Sequence, residues 1–121
     1  GSEMCIRDRD IFLESMADAA KAIIDHTGKN ILYINVANRL SVDCDCNGNP
    51  EEPKMGDIGI LASLDPVALD RACVDQVLKS EDSGRSHLIE RINSRHGLHI
   101  LTAAEQLGLG TQHYKLITID E

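Results

Sequence analysis

Thiol and carboxylate side chains alternate in the segment DCDC, residues 43–46, and this pattern could bind a metal ion. Cys44 and Cys46 are soft sulfur ligands one residue apart. A turn between them would bring both thiolates to one ion, and zinc or iron is the usual choice for such ligands. Asp43 and Asp45 place carboxylate oxygens beside them. The segment therefore predicts a metal site to which all four side chains contribute.

The odd-numbered positions of the same segment suggest calcium instead. Asp43, Asp45, Asn47 and Gly48 match the opening of an EF-hand loop. The twelfth position of that loop is Lys54, a cation where a bidentate glutamate belongs. The preceding segment also has a strand pattern rather than a helical one. An EF-hand is therefore rejected, whereas a looser calcium site and a polar turn that binds nothing remain open alternatives.

A thiolate site needs further ligands, because two sulfurs do not fill the four positions of a structural zinc. Cys73 is the candidate third sulfur ligand, although a cysteine on an Ala/Val helix face is also an ordinary small core residue. Another carboxylate or one of the five histidines would complete the shell. These histidines are His26, His87, His96, His99 and His113. Because His96 and His99 flank a glycine, they are predicted to lie in a solvated surface turn.

Composition sets the class of protein. The chain has 121 residues, enough for one domain with a core. Its formal net charge of −8 and its scattered arginines disfavour nucleic acid and anionic membranes as partners. No apolar run reaches the ~20 residues of a membrane-spanning helix, and no signal peptide is evident. We expect a cytoplasmic protein with reduced thiols, where closely spaced cysteines indicate metal or redox chemistry.

The hydrophobic pattern predicts an α/β domain with a small mixed sheet of about three strands and three to four helices. Residues 1–9 are expected to be a non-native leader, and residues 10–121 a single domain. Predicted helices are 10–26, 65–79, 86–96 and 100–110, and predicted strands are 30–42, 58–63 and 114–120. A sheet this thin suggests part of a larger fold, or an edge that pairs with another chain.

Several segments carry a family resemblance. "VDCDCNGNPEEPKMGDIGILASLDPVALDRAC", then "HGLHILTAAEQLGLG" and "YKLI", resemble the C-terminal portion of the family called domain of unknown function 362. The resemblance extends over residues 11–119. Members of that family are often labelled iron–sulfur cluster-binding proteins, and many carry a ferredoxin-like insert with C-x-x-C repeats. This chain has no C-x-x-C, so the resemblance implies a cluster in the full-length family protein rather than a complete one here.

The leading hypothesis is a metal-binding module of an iron–sulfur or redox-associated protein. Its ligands would be Asp43, Cys44, Asp45, Cys46 and Cys73, holding at most one ion such as zinc or iron. A ferredoxin-like domain, or a second copy joined through a sheet edge, is the expected partner. Two rival hypotheses are a structural or oligomerising domain without metal, and a fragment of an enzyme whose site needs a further N-terminal region.

Overall fold

The computed structural model describes residues 6–28, 30–43, 48–49 and 51–119. Within those ranges the chain forms four helices and one two-stranded sheet. The helices are α1 (Ile6–Thr27), α2 (Pro66–Lys79), α3 (Arg85–Ser94) and α4 (His99–Gln106), and the strands are β1 (Tyr33–Ala37) and β2 (Gly59–Ser63). The predicted α/β class and the upper number of predicted helices are confirmed.

The two strands pair antiparallel, with Tyr33 opposite Ser63 and Ala37 opposite Gly59. One face of this sheet packs on α2. As the alternation in the sequence predicts, Leu32, Ile34 and Val36 point the same way, but their face is exposed to solvent. The more polar face of β1 lies against the helix, so the sheet presents its aliphatic side chains outward.

Local signals set the start of α2. The carboxylate of Asp65 accepts hydrogen bonds from the backbone N–H groups of Val67 and Ala68, each at 2.9 Å. Pro66 occupies the first helical position, where a missing N–H costs nothing. This cap satisfies two of the donors that a helix N-terminus otherwise leaves unpaired.

The main core cluster joins three helices rather than a helix and the sheet. Ala17 of α1, Val67 of α2 and Leu101 of α4 are each at most 5% exposed, and Ala103 and Ala104 extend the cluster. These are small and aliphatic side chains, as the low aromatic content requires. Helix α1 therefore depends on α4 for its position, since α4 is the element of the described part that it contacts most.

A glycine ends α4. Gly108 has a φ of +80°, and its N–H donates to the carbonyl of Glu105 while the N–H of Leu109 donates to that of Ala104. This pair of bonds is the Schellman motif, in which glycine is favoured at the left-handed position. The G-x-G sequence at residues 108–110 is thus a helix terminus, as the sequence predicts.

The prediction of a third strand at 114–120 and of a mixed sheet is wrong for the described residues. Residues 113–119 form neither strand nor helix, and the sheet is purely antiparallel. The hydroxyl of Tyr114 donates to Asp75 of α2 at 2.5 Å, and residues 115–119 are exposed beyond that anchor. Strand propensity is realised only where a neighbouring strand supplies hydrogen bonds and packing.

Helix α1 extends further towards the N-terminus than predicted. It begins at Ile6, so residues 6–9 of the expected leader are helical. Whether those residues are native, and the boundary of the domain, stay predictions. None of the described helices combines the length and the apolar character that crossing a membrane would require.

Candidate metal centre

Two carboxylates of α1 face two histidines at the junction of α3 and α4. Nδ1 of His96 lies 2.5 Å from Oδ1 of Asp10, and Nε2 of His99 lies 3.0 Å from Oε1 of Glu14. Asp10 and Glu14 are four residues apart, so the helical period places them on one face of α1. The packing of α1 on α4 brings this face to the junction.

The ligand atoms of Asp10, His96 and His99 converge. Within the described residues this is the one group of three potential ligands whose atoms all lie within 4.8 Å of one another. The two imidazole rings stack, with centroids 5.2 Å apart and an angle of 21° between their planes. Donor atoms on a tetrahedral zinc lie roughly 3.3–3.5 Å apart, given Zn–N bonds of ~2.0–2.1 Å. Small side-chain rotations would therefore bring the three atoms onto one ion.

The backbone at His96 is unusual. Its φ is +52°, in the left-handed region that few residues other than glycine adopt. Helix α3 ends in a Schellman motif, in which the N–H of His96 donates to the carbonyl of Asn93 and that of Gly97 to Ile92. Histidine thus occupies the position where glycine is the most favourable residue. This conformation directs the His96 side chain to Asp10.

The cluster is open to solvent on one side. The side chains of Asp10 and His99 are 25% and 23% exposed, whereas those of His96 and Glu14 are about half exposed. An ion could enter without rearrangement of the core. Two imidazole nitrogens and one carboxylate leave a further coordination position for water, for a small anion or for Glu14.

The predicted DCDC site can be followed only in part. Cys44, Asp45 and Cys46 lie outside the described residues. Asp43, at the start of the segment, accepts a hydrogen bond from the backbone N–H of Glu51 at 2.9 Å. The same carboxylate lies 3.7 Å from the guanidinium of Arg91 on α3.

Val42 and Glu51, which precede and follow this segment in the chain, lie beside α3. Arg91 also donates to the carbonyl of Val42 at 2.7 Å. A cavity of about 210 Å³ lies there, lined by Val42, Glu51 and the α3 residues His87, Glu90, Arg91 and Ser94. His87 and Glu90 are thus potential ligands that share a cavity with Val42 and Glu51.

Cys73 faces the sheet from α2. It is partly buried, and its sulfur accepts a hydrogen bond from Nδ2 of Asn35 at 3.4 Å. Burial raises the pKa of the Cys73 thiol, the bond from Asn35 lowers it, and the charge of Asp70 raises it. Within the described part of the chain, neither Cys73 nor Asp43 belongs to a group of three potential ligands.

The comparison with protein families gives one match. The sequence model of the family described as Domain of unknown function (DUF362) matches residues 2–75. The chain belongs to this family. The matched segment extends from α1 through both strands into α2. The predicted family is confirmed, and its description assigns no reaction to DUF362. The chain matches no curated protein and no solved structure.

The DUF362 resemblance implies an iron–sulfur cluster in full-length proteins, and such clusters are held by four cysteine thiolates. The described residues do not fit one. Cys73 is the one cysteine among them, and its raised pKa favours the thiol over the thiolate that iron requires.

Sequence reasoning missed the two carboxylates and undervalued the two histidines. Asp10 falls at the edge of the expected leader, and Glu14 reads as an ordinary polar position of an amphipathic helix. The available signals were weak: two acids four residues apart on a helix, and an H-x-x-H spacing at 96–99. The prediction of an exposed turn is confirmed for His96 and wrong for His99, which is the first residue of α4 and is 23% exposed. Both histidines contact α1.

Proposed function

We propose that this DUF362 domain binds one divalent transition-metal ion of the zinc class through Asp10, His96 and His99. The single observation that carries the proposal is the convergence of their three ligand atoms within 4.8 Å. Imidazole nitrogen with carboxylate oxygen is a donor set that suits zinc, and that magnesium and calcium use less often. The ion would join the N-terminal half of α1 to the α3–α4 junction.

Two features favour metal binding over simple ion pairs. Stacked imidazoles at 5.2 Å repel each other when both carry a proton, whereas a shared cation is compatible with two neutral rings. The left-handed backbone of His96 costs of order 1 kcal/mol or more, and strained residues of this kind concentrate at functional sites. An ion bound to one nitrogen of each ring would account for both the stacking and the strained backbone.

Glu14 has a secondary role in this proposal. Its carboxylate contacts Nε2 of His99 but does not belong to the group of three ligands. We assign it to the fourth coordination position or to a water held there. Removing its charge should therefore weaken binding less than removing that of Asp10.

The test is a zinc titration of protein without an affinity tag, followed by calorimetry. We expect one ion per chain at this site, and a loss of affinity of more than about tenfold in His96→Ala and in His99→Ala. His26→Ala is the matched control, because His26 lies exposed on α1 away from the junction. Unchanged zinc affinity in the double variant His96→Ala, His99→Ala would contradict the proposal.

A second candidate site is the DCDC segment, with Cys44 and Cys46 as ligands and Asp43, Asp45 and Cys73 near them. It is favoured by the position of Val42 and Glu51, before and after the segment, beside His87 and Glu90 of α3. The two candidate sites predict loss of bound metal in different variants. A Cys44→Ser, Cys46→Ser variant should lose an ion only if the thiolates bind one, and should retain the ion held by His96 and His99.

The wider role that we propose is a cytoplasmic module of an iron–sulfur or redox-associated protein, with a ferredoxin-like domain or a second copy as partner. Its support is the DUF362 resemblance and the metal ligands above. A structural domain that binds no metal is the alternative. Elemental analysis of protein purified without a tag distinguishes them, since the alternative predicts no bound metal.

A further inference from the structure

The two-stranded sheet has edges without the usual protection. Neither β1 nor β2 contains a charged residue or a proline, which are the residues that commonly keep an edge strand from pairing with another chain. The outward face is aliphatic as well: Ile34, Val36 and Ile60 are 57%, 61% and 69% exposed. Two strands alone are marginally stable in water, so a further strand would complete this element.

The C-terminal segment has the properties of a strand but no partner. Residues 115–119, KLITI, are β-branched or aliphatic at four of five positions, and each is exposed. Ile117 and Ile119 are 70% and 91% exposed and alternate with Thr118, so in a strand they would share a face. The segment has the five-residue length of β1 and of β2.

We propose that residues 115–119 of one copy add as a third strand to the β2 edge of a second copy, in a reciprocal dimer. Each chain supplies one strand and one open edge, so the exchange closes with two-fold symmetry. The proposal is independent of the metal site, because neither residues 115–119 (the tail) nor β2 contributes any of the metal ligands.

Contacts at its start hold the segment 115–119 on α2 of its own chain. The hydroxyl of Tyr114 donates a hydrogen bond to Asp75, and the side-chain oxygen of Gln112 accepts one from Arg71. Asp75 and Arg71 both belong to α2. From that anchor, residues 115–119 extend at most ~17 Å, and in the monomer they remain unpaired. A second copy can approach the tail from solvent, where all five residues are exposed.

The choice of β2 follows from the neighbours of each strand. Tyr33 of β1 lines an apolar cavity of about 320 Å³ together with Ile23 and Ile24 of α1. This cavity lies between α1 and the β1 side of the sheet. Among the described elements β1 and β2 each contact only the other strand and α2. No residue of β2 lines this cavity, so the β2 edge is the one farther from α1 and open to an incoming strand.

The experiment compares the masses of the full chain and its variants in solution by sedimentation equilibrium. Wild-type protein should be a dimer that dissociates on dilution. Deletion of residues 115–121, and separately Ile117→Pro, should give monomers with unchanged circular dichroism, since the tail is unpaired in the monomer. Ala62→Lys, which places a charge on β2, should also give a monomer, whereas Ala22→Lys on exposed α1 should not.

Mixing the two monomeric variants tests whether the strand exchange is reciprocal. The tail-deleted chain retains the β2 edge, and the Ala62→Lys chain retains the tail, so an equimolar mixture should form a heterodimer through one exchanged strand. A monomeric wild type, or a tail-deleted chain that still dimerises, would overturn the proposal. A mixture that remains monomeric while both variants are folded would overturn the reciprocal exchange.

Discussion

Nδ1 of His96 lies 2.5 Å from Oδ1 of Asp10, although the two residues are 86 positions apart in the chain. This contact joins the first helix to the turn between the third and the fourth. With His99 it forms a donor set that the sequence does not show as a motif. The metal binding that we propose for this DUF362 domain depends on that contact.

Replacing His96 by glycine should separate its backbone role from its ligand role. Glycine adopts the left-handed conformation of residue 96 without the steric cost of a Cβ atom. We expect His96→Gly to change the free energy of unfolding of the metal-free protein by less than about 1 kcal/mol, since relief of strain offsets the lost hydrogen bond to Asp10. Zinc affinity should fall as far as in His96→Ala.

Chemical denaturation with and without zinc measures both quantities. His96→Ala is the informative control, because it keeps the strained conformation and loses the ligand. A His96→Gly protein that binds zinc like wild type would show that the imidazole at this position is not a ligand.

Zinc should stabilise the folded protein, because the ligands converge only in the folded chain. A ligand at 100 times its dissociation constant adds ~2.7 kcal/mol to the free energy of unfolding. We expect this gain in wild type, most of it lost in Asp10→Asn and more of it retained in Glu14→Gln. Thermal unfolding at fixed zinc concentration makes the comparison. Equal gains in wild type and Asp10→Asn would exclude Asp10 as a ligand.

Gly110 allows a close contact that fixes the loop after α4. A Cβ atom at this position would overlap the carboxylate of Asp65, which caps α2 and also accepts from the N–H of Thr111 at 3.0 Å. We expect Gly110→Ala to lower the free energy of unfolding by about 1–2 kcal/mol, the usual cost of a lost N-cap. Gly48→Ala is the control, since no atom lies within 4 Å of its Cβ position. Equal denaturation midpoints for the two variants would argue against this contact.

The stabilising effect of the hydrogen bond from Tyr114 to Asp75 should depend on pH. The hydrogen bond to Asp75, with smaller effects of burial and of the same charge, raises the pKa of Tyr114 from 10.0 to about 12. Because the folded-state pKa lies above that of the unfolded chain, this bond stabilises fully below pH 10. Its contribution is lost as the pH rises from 10 towards 12.

Ultraviolet absorbance of tyrosinate in a Tyr33→Phe variant reports the Tyr114 titration alone, since the chain has two tyrosines. Tyr114→Phe should remove this step of the stability profile. A Tyr114 that titrates at the pKa of free tyrosine would show that the bond to Asp75 is not formed in solution.

Features encoded by neighbouring residues could be predicted from the sequence. The cap at Asp65, the helix start at Pro66 and the helix end at Gly108 each depend on a few consecutive residues. Whether residues 114–120 form a strand could not be predicted from neighbouring residues. The strand propensity of this segment is local, but its hydrogen bonds would come from a distant edge.

The metal site was harder to predict for the same reason. Asp10 and His96 meet only because α1 packs on α4 and because residue 96 turns through a left-handed conformation. Neither event has a sequence signature. The DCDC segment, by contrast, is conspicuous in the sequence, but Cys44, Asp45 and Cys46 lie outside the described residues and their metal site stays a prediction.

Anomalous X-ray scattering at the zinc edge, from crystals grown with one equivalent of zinc, tests the central claim most directly. The account predicts a peak bonded to one nitrogen each of His96 and His99 and to an oxygen of Asp10, at ~2.0–2.2 Å from each. Crystals with no zinc at Asp10, His96 and His99, and with Asp10 still hydrogen-bonded to His96, would contradict this metal site.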